Sequence, residues 1–194
     1  MGKVMAIENK EGTGKIHPQK FGLYLAIVSL IMTFAAMSSA YMVRQAAGNW
    51  LEFRLPNMFF VSTGFILLSS ICLRISSKSF NERKEKRYKN FLLATFILGI
   101  GFLTCQYLGW NEMYAQGIEL RGNPSGSFVY IMSFLHAFHV LGGIAILGVA
   151  LFHAFGLPFR VTENRRLRFD LTSIYWHFVD LLWIYLLVFF ILQR

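Results

Sequence analysis

Residues 171–192 of the chain read LTSIYWHFVDLLWIYLLVFFIL. An α-helix rises about 1.5 Å per residue, so this apolar run is long enough to cross a hydrocarbon layer of about 30 Å. It nevertheless contains a histidine and a carboxylate three residues apart, His177 and Asp180. Ionisable groups at that depth in a membrane are costly, so we expect the pair to have a structural or functional role.

The whole chain has the composition of an integral membrane protein. It has 194 residues, of which 55% are hydrophobic and only 15% are charged. Five runs are long enough to span a membrane: 21–43, 55–75, 91–110, 128–155 and 171–192. They are apolar on all sides and do not alternate in polarity, which favours helices over the strands of a barrel. We predict an all-α polytopic membrane protein, a bundle of five transmembrane helices in a single domain over 21–194, after a cytoplasmic segment, 1–20.

The distribution of positive charge predicts the topology. Of the nineteen lysines and arginines, four precede the first span, seven lie between residues 74 and 89, and four lie between residues 160 and 168. The other side has only Arg44, Arg54, Arg121 and Arg194. Cytoplasmic loops are enriched in Lys and Arg, so we expect the N-terminus inside and the C-terminus outside. The net charge of +9 then reflects topology, and we expect no nucleic-acid partner.

Three histidines lie deep in the predicted spans: His136, His139 and His177. The first two are three residues apart, so they share a helix face that continues to Gly142 and Gly143, where another helix can approach closely. Two histidines on one helix cannot be opposite axial ligands, so a haem would need His177 opposite one of them. The alternative is that neutral imidazoles hydrogen-bond to neighbouring helices or to a lipid. We find no convincing ligand set and predict no metal or cofactor in this chain.

His177 and Asp180 can reach each other across one turn of helix. An aspartate alone would be expensive in a low-dielectric bundle, so it is expected to pair with the imidazole or to face a polar seam of a partner subunit. Such a pair could hold an interface together or relay protons, and the sequence favours the interface.

Two stretches resemble a known family. YWHFVDLLWIY, residues 175–185, closely matches the last-helix signature of subunit III of haem-copper oxidases, which include the cytochrome c and quinol oxidases. FLHAFHVLGG, residues 134–143, is similar to the histidine-rich penultimate helix of that family. Weaker matches lie on helix 3, at 98–102 and 106–110, and on helix 2, at 55–56, 62–63 and 67–70. The chain resembles the five-span bacterial form, which lacks the first two helices of the longer form.

The resemblance implies a redox-silent subunit of a proton-pumping terminal oxidase of aerobic respiration, which passes electrons from cytochrome c or quinol to dioxygen. It implies direct contact with subunit I, whose stability and proton uptake the chain would support, together with subunits II and IV as partners. Haem and copper would belong to subunits I and II, and phospholipid would bind. The expected location is the bacterial cytoplasmic (inner) membrane, with membership of a respiratory supercomplex left open.

No catalytic residue is expected in the chain itself. The residues that resemble the family motifs are expected to contact helices, subunit I or lipid, and they are His136, His139, Gly142, Gly143, Trp176, His177, Asp180, Trp183 and Gln106.

Two positions depart from the family pattern. Many members have a buried glutamate after a serine on the first of the five helices, but Leu30 follows Ser29 here. Members often have a glutamate before the aromatic residue that follows the helix 3 glutamine, but here Gly109 precedes Trp110 and Glu112 lies two residues beyond. A proton-handling role carried over from those glutamates is therefore in doubt.

Two alternative functions also fit a five-span chain of this kind. One is the related accessory protein of bacterial nitric oxide reductases, which shares the fold and much of the motif set. The other is a small proton-linked transporter or channel that would use the buried histidines and Asp180.

Overall fold

The computed structural model describes residues 17–156 and 162–193. This part of the chain forms five α-helices and no strand: α1 Pro18–Ala46, α2 Asn57–Asn81, α3 Glu85–Ala115, α4 Pro124–Gly156 and α5 Glu163–Leu192. All five are long and apolar enough to cross a membrane. The prediction of an all-α protein with five transmembrane helices is confirmed, and the chain is a multi-pass membrane protein. Residues 1–16 of the predicted N-terminal segment lie outside the described residues.

Four of the five helices begin before the predicted spans. The difference is largest for α3 and α5, because each of these helices begins with charged residues that lie before its apolar run. In α3 the Lys89 ammonium lies 2.6 Å from Glu85 one turn earlier. In α5 the Thr162 hydroxyl accepts a hydrogen bond from the backbone N–H of Arg165 and caps the helix. Many of the charges that the sequence assigned to loops are therefore on helix ends.

α5 is the central helix of the bundle. It packs against α1, α2 and α4, while α3 packs along α2 and against α4. Half of the most apolar window of α5 is buried, against 11% for α1. α1 is thus peripheral, and among the described residues α5 supplies the largest share of the buried apolar side chains.

α1 is held mainly near its C-terminal end. Tyr41 and Gln45 both donate hydrogen bonds to the backbone carbonyl of Gln193, at 3.2 and 2.9 Å. The hydroxyl of Tyr185 on α5 donates to that of Ser38 on α1, at 2.9 Å. These bonds join the C-terminal part of α1 to the C-terminal end of α5.

The two ends of the bundle differ in charge. Phe80, Tyr88 and Phe169 pack together with ring centroids 5.1–5.6 Å apart, so the C-terminal end of α2 lies beside the N-terminal ends of α3 and α5. We call this the basic end. Its lysines and arginines among the described residues are Lys20, Arg74, Lys78, Arg83, Lys84, Lys86, Arg87, Lys89, Arg165, Arg166 and Arg168. The opposite end has Arg44, Arg54 and Arg121 in the same part of the chain.

A three-residue turn joins α2 to α3 at the basic end. Arg83 adopts a positive φ of 57° there, and Lys84 forms an ion pair with Glu82 at 2.7 Å. The hydrogen bond from this ammonium lowers the pKa of the Glu82 carboxyl. Both groups are solvent-accessible, so the pair contributes little to stability and the turn is a solvated loop.

Trp176 lies between two glycines of neighbouring helices. A β-carbon at Gly99 on α3 would lie 2.8 Å from Cη2 of the indole, and one at Gly143 on α4 would lie 3.0 Å from Cε3. Only residues without a side chain leave room for the ring at these two positions. The sequence prediction that the Gly142 and Gly143 pair marks a close helix approach is consistent with this packing.

We expect Gly99→Ala to lower the free energy of unfolding by about 1–3 kcal/mol, because the added methyl group collides with a rigid indole ring. Gly64→Ala is the matched control, since a β-carbon there meets no atom within 4 Å. Both variants can be heated in detergent with a thiol-reactive fluorophore, which reports the exposure of the free Cys72 and Cys105. Equal transition midpoints for the two variants would contradict the packing described here.

Candidate functional site

Three serines form a line along one face of α2. Ser62, Ser69 and Ser76 are seven residues apart, which is about two helical turns, and all three are fully buried. Ser62 accepts a hydrogen bond from the amide of Gln106 on α3 at 3.0 Å, and Ser69 donates to the carbonyl of Thr95 at 3.5 Å. Small hydroxyl side chains let α2 and α3 approach closely while they satisfy polar groups in the bundle.

The two tryptophans of the α5 motif bond to hydroxyls of the same helix. The indole N–H of Trp176 donates to Ser69 and that of Trp183 donates to Thr63, both at 3.0 Å. Both indoles are fully buried, so each N–H needs a partner inside the protein. The tryptophans therefore clamp α5 onto α2.

The two histidines of α4 contact different helices. His136 is fully buried and stacks on Trp183 of α5, with centroids 5.2 Å apart, and its edge meets Phe102 of α3. His139 is half-buried and meets Phe34 of α1. A spacing of three residues rotates the second side chain by about 60° relative to the first. At the centre of the bundle this rotation is large enough that the two histidines contact different neighbouring helices.

Neither α4 histidine makes the expected hydrogen bond to a neighbouring helix within the described residues. Nδ1 of His139 lies 2.7 Å from the carbonyl of Leu135 on its own helix. The two ring nitrogens of His136 have no partner in this part of the chain. The link from His139 to α5 is made by its backbone carbonyl instead, which accepts a hydrogen bond from Tyr175 at 3.1 Å.

His177 and Asp180 lie close together but do not form a direct hydrogen bond. Nδ1 of His177 is 4.0 Å from Oδ2 of Asp180, whereas it is 2.6 Å from the hydroxyl of Ser70 on α2. The predicted pair is therefore a cluster of three residues that joins α5 to α2. Ser70 was not expected as a partner of His177. The available signal was that Ser70 lies seven residues after Thr63, on the same face of α2.

The order serine, histidine, aspartate invites comparison with a hydrolase triad. In a triad the hydroxyl and the carboxylate bond opposite nitrogens of the imidazole, so that a proton can pass from one side to the other. Here Ser70 and Asp180 both approach Nδ1 of His177. The geometry does not fit nucleophilic catalysis.

Metal ligation has no support in the side-chain arrangement. Within residues 17–156 and 162–193, no group of three or more histidines, cysteines, aspartates and glutamates could hold a metal ion. His136 and His177 each contact other side chains of the bundle, as described above. The absence of a cofactor from this chain stays a prediction.

A cavity of about 640 Å³ opens at the basic end between α1, α4 and α5. One wall is apolar and comes from Ile146, Val149 and Ala150 of α4, while Arg165 and Arg168 of α5 lie on another side. His153 and the aromatic residues of the basic end also line it. The charge pattern alone does not indicate this site, because the two arginines follow one another in a basic stretch that is typical of a loop, whereas they lie on α5.

Comparison with known proteins agrees with the resemblance. Residues 12–193 match the family model described as cytochrome c oxidase subunit III. The chain is 28% identical over 185 residues to cytochrome c oxidase subunit 3 of Oryctolagus cuniculus, covering 87% of this chain and 67% of the rabbit protein. It is 28% identical over 172 residues to cytochrome bo(3) ubiquinol oxidase subunit 3 of Buchnera aphidicola from Schizaphis graminum, covering 84% and 88% of the two chains.

A third relative covers a shorter segment. The probable cytochrome c oxidase subunit 3 of Rickettsia bellii is 32% identical over 130 residues, which is 67% of this chain and 46% of the relative. The motif residues of α4 and α5 thus occur in a chain with similarity to subunit III along almost its whole length.

A double-mutant cycle tests the clamp between α5 and α2. Trp176→Phe and Ser69→Ala each remove one side of the hydrogen bond, so the two changes together should cost less than their sum. We expect a coupling of about 0.6 kcal/mol, and at most about 1.7 kcal/mol, as for other hydrogen bonds between membrane helices. The readout is the unfolding free energy in detergent.

Ser29→Ala provides the control for that cycle. Ser29 is an exposed serine on α1 whose hydroxyl bonds to its own helix at the carbonyl of Leu25. Its combination with Trp176→Phe should be additive. If the coupling between Trp176→Phe and Ser69→Ala were also zero, the proposed clamp would be contradicted.

Proposed function

The chain belongs to the cytochrome c oxidase subunit III family, and we propose that it serves as the redox-silent subunit III of a proton-pumping haem-copper terminal oxidase. The observation that carries the proposal is the match over residues 12–193, which includes the α4 and α5 motifs. The relatives are subunits of cytochrome c and quinol oxidase complexes, which are oxidoreductases. The chain works as part of such a complex.

The geometry of the buried polar residues supports a structural role. Trp176, Trp183 and Gln106 bond to α2, and the backbone of His139 bonds to α5. These hydrogen bonds join the helices of the bundle, so the residues that make them are expected to hold the fold. Haem and copper would then be held by subunits I and II, and oxygen reduction would take place there.

The oxidase function is favoured over the two alternatives. A nitric oxide reductase accessory protein would share the fold, but the relatives described above are subunits of oxidases. A proton-linked transporter would need a continuous polar path through the bundle. Instead His136 stacks on Trp183, and the clamps between α2, α3 and α5 fill the bundle centre.

We also propose the location and orientation of the chain. The concentration of lysine and arginine at the basic end supports an orientation with that end in the cytoplasm, in a bacterial inner membrane. Subunit I would be the direct partner, with subunits II and IV in the same complex. The basic charges would attract anionic lipid headgroups, and for the same reason they would not concentrate protons.

The cavity at the basic end fits a phospholipid. Its apolar wall on α4 suits acyl chains, and Arg165 and Arg168 are placed to meet a headgroup phosphate. A lipid there would fill the space between α1 and the rest of the bundle. Phospholipid is therefore part of the proposed function, as a structural ligand.

Purification from native membranes tests the function. A tagged chain extracted in mild detergent should recover a haem-containing complex that consumes oxygen, whereas the chain separated from its partners should show neither property. An untagged strain treated in the same way is the control. A Soret band that stays with the separated chain would contradict a redox-silent role.

A charge substitution tests the lipid site. Arg168→Gln should weaken retention of acidic phospholipid about fivefold, because a cation near an anionic headgroup is worth about 1 kcal/mol. Arg166→Gln is the matched control, since Arg166 is exposed on the same turn but does not line the cavity. Lipids bound to each purified variant can be counted by mass spectrometry. Equal loss from both variants would argue against a specific site.

A further inference from the structure

A polar cluster lies between α2 and α5, beside exposed apolar side chains of both helices. Ser70, His177 and Asp180 lie in it, near the middle of both helices. Its rim is apolar and comes from the exposed side chains of Leu67, Ile71 and Leu181. We call these six residues the α2–α5 groove.

The groove has hydrogen-bonding groups that nothing in the described part of the chain satisfies. Asp180 is only 4% exposed, and neither of its carboxyl oxygens has a hydrogen-bond partner of good geometry among the described residues, although the Ser70 hydroxyl lies near enough to interact with the carboxyl. The Nδ1 atom of His177 is taken by Ser70. The other ring nitrogen forms no hydrogen bond within the same residues, and the side chain is 26% exposed.

Exposed hydroxyls elsewhere in the spans are arranged differently. Ser29, Thr33 and Thr104 each donate to a carbonyl of their own helix, at 2.9–3.0 Å. Such residues can face acyl chains without leaving a polar group unpaired. The α2–α5 groove cannot, because the hydrocarbon layer has no water to pair with a carboxyl or an imidazole.

The depth of the groove excludes lipid headgroups as the missing partner. Headgroups lie at the ends of the transmembrane helices, and acyl chains provide no hydrogen-bond donor. A polar side chain on another transmembrane helix can reach the middle of the membrane and can make the missing hydrogen bonds. Polar groups of this kind join helices in membranes.

From these unpaired groups we propose that the α2–α5 groove is the docking site for a transmembrane helix of another subunit of the oxidase. This proposal rests on the proposed function. That helix presents a hydrogen-bond donor to Asp180 and a polar partner to the free nitrogen of His177. Its apolar side chains cover Leu67, Ile71 and Leu181.

Photo-crosslinking in native membranes locates the docking surface. A benzophenone side chain replaces Leu67 or Leu181 in the groove, or Phe138 on α4, which is 63% exposed. All three positions have large apolar side chains, so a benzophenone replaces a side chain of similar character at each of them. We expect a covalent adduct with another oxidase subunit from both groove positions and none from Phe138.

The outcomes separate the two proposals. If the haem-containing complex assembles but neither groove position forms a protein adduct, the docking proposal is wrong and the proposed function stands. An adduct with a subunit from Phe138 alone also contradicts the docking proposal and leaves the proposed function intact. If no haem-containing complex is recovered even with the unsubstituted chain, both proposals fail.

Substitution of the carboxyl tests the hydrogen bond itself. Asp180→Leu and Asp180→Asn should each lower the ratio of this chain to haem in the purified complex, by about threefold or more for Leu. Initial electron transfer should be unchanged in complexes that keep the chain. Thr104→Val is the control, because that hydroxyl is satisfied by its own helix. Unchanged retention in both Asp180 variants would overturn the role of this carboxyl.

Discussion

Hydrogen bonds between the indole N–H groups of α5 and the hydroxyls of α2 fix these two helices of the bundle against each other. An N–H group buried in a hydrocarbon layer cannot donate to water, so each tryptophan has to donate to an oxygen within the protein. Trp176 and Trp183 find theirs on Ser69 and Thr63, about two turns apart along one helix. The register between α2 and α5 follows from these bonds, and so does the approach of Ser70 to His177.

The same rule separates the other buried polar residues into two kinds. Ser69 and Ser76 each donate to a backbone carbonyl of α3 and are part of the helix contacts, whereas Gln106 donates to Ser62 but leaves its own Oε1 unpaired among the described residues. Asp180 and His136 are as deeply buried but have unpaired atoms among the described residues. His136 lies inside the bundle, whereas Asp180 lies beside the surface groove. Burial alone therefore does not distinguish a residue that holds the fold from one that awaits a partner.

Much of the fold could be predicted from the sequence, and less of the site. Five apolar runs predict five helices because length and hydrophobicity are local properties, and the structure has them. The pairing of His177 with Asp180 was expected from their spacing on one helix, but Ser70 of α2 lies closer to the imidazole. The cavity at the basic end depends on how α1, α4 and α5 diverge. Contacts between helices require their relative positions, which a spacing along one helix does not provide.

The attachment of α1 has a consequence for the synthesis of the chain. Tyr41 and Gln45 bond to Gln193, which is 152 and 148 residues further along. Of the five described helices α1 is made before the others, yet its hydrogen bonds to another helix come only from the end of α5. Until α5 is made, α1 is supported only by its packing against α4, by its own backbone bonds and by the lipid around it. In this protein the order of insertion and the order of assembly are opposite for α1.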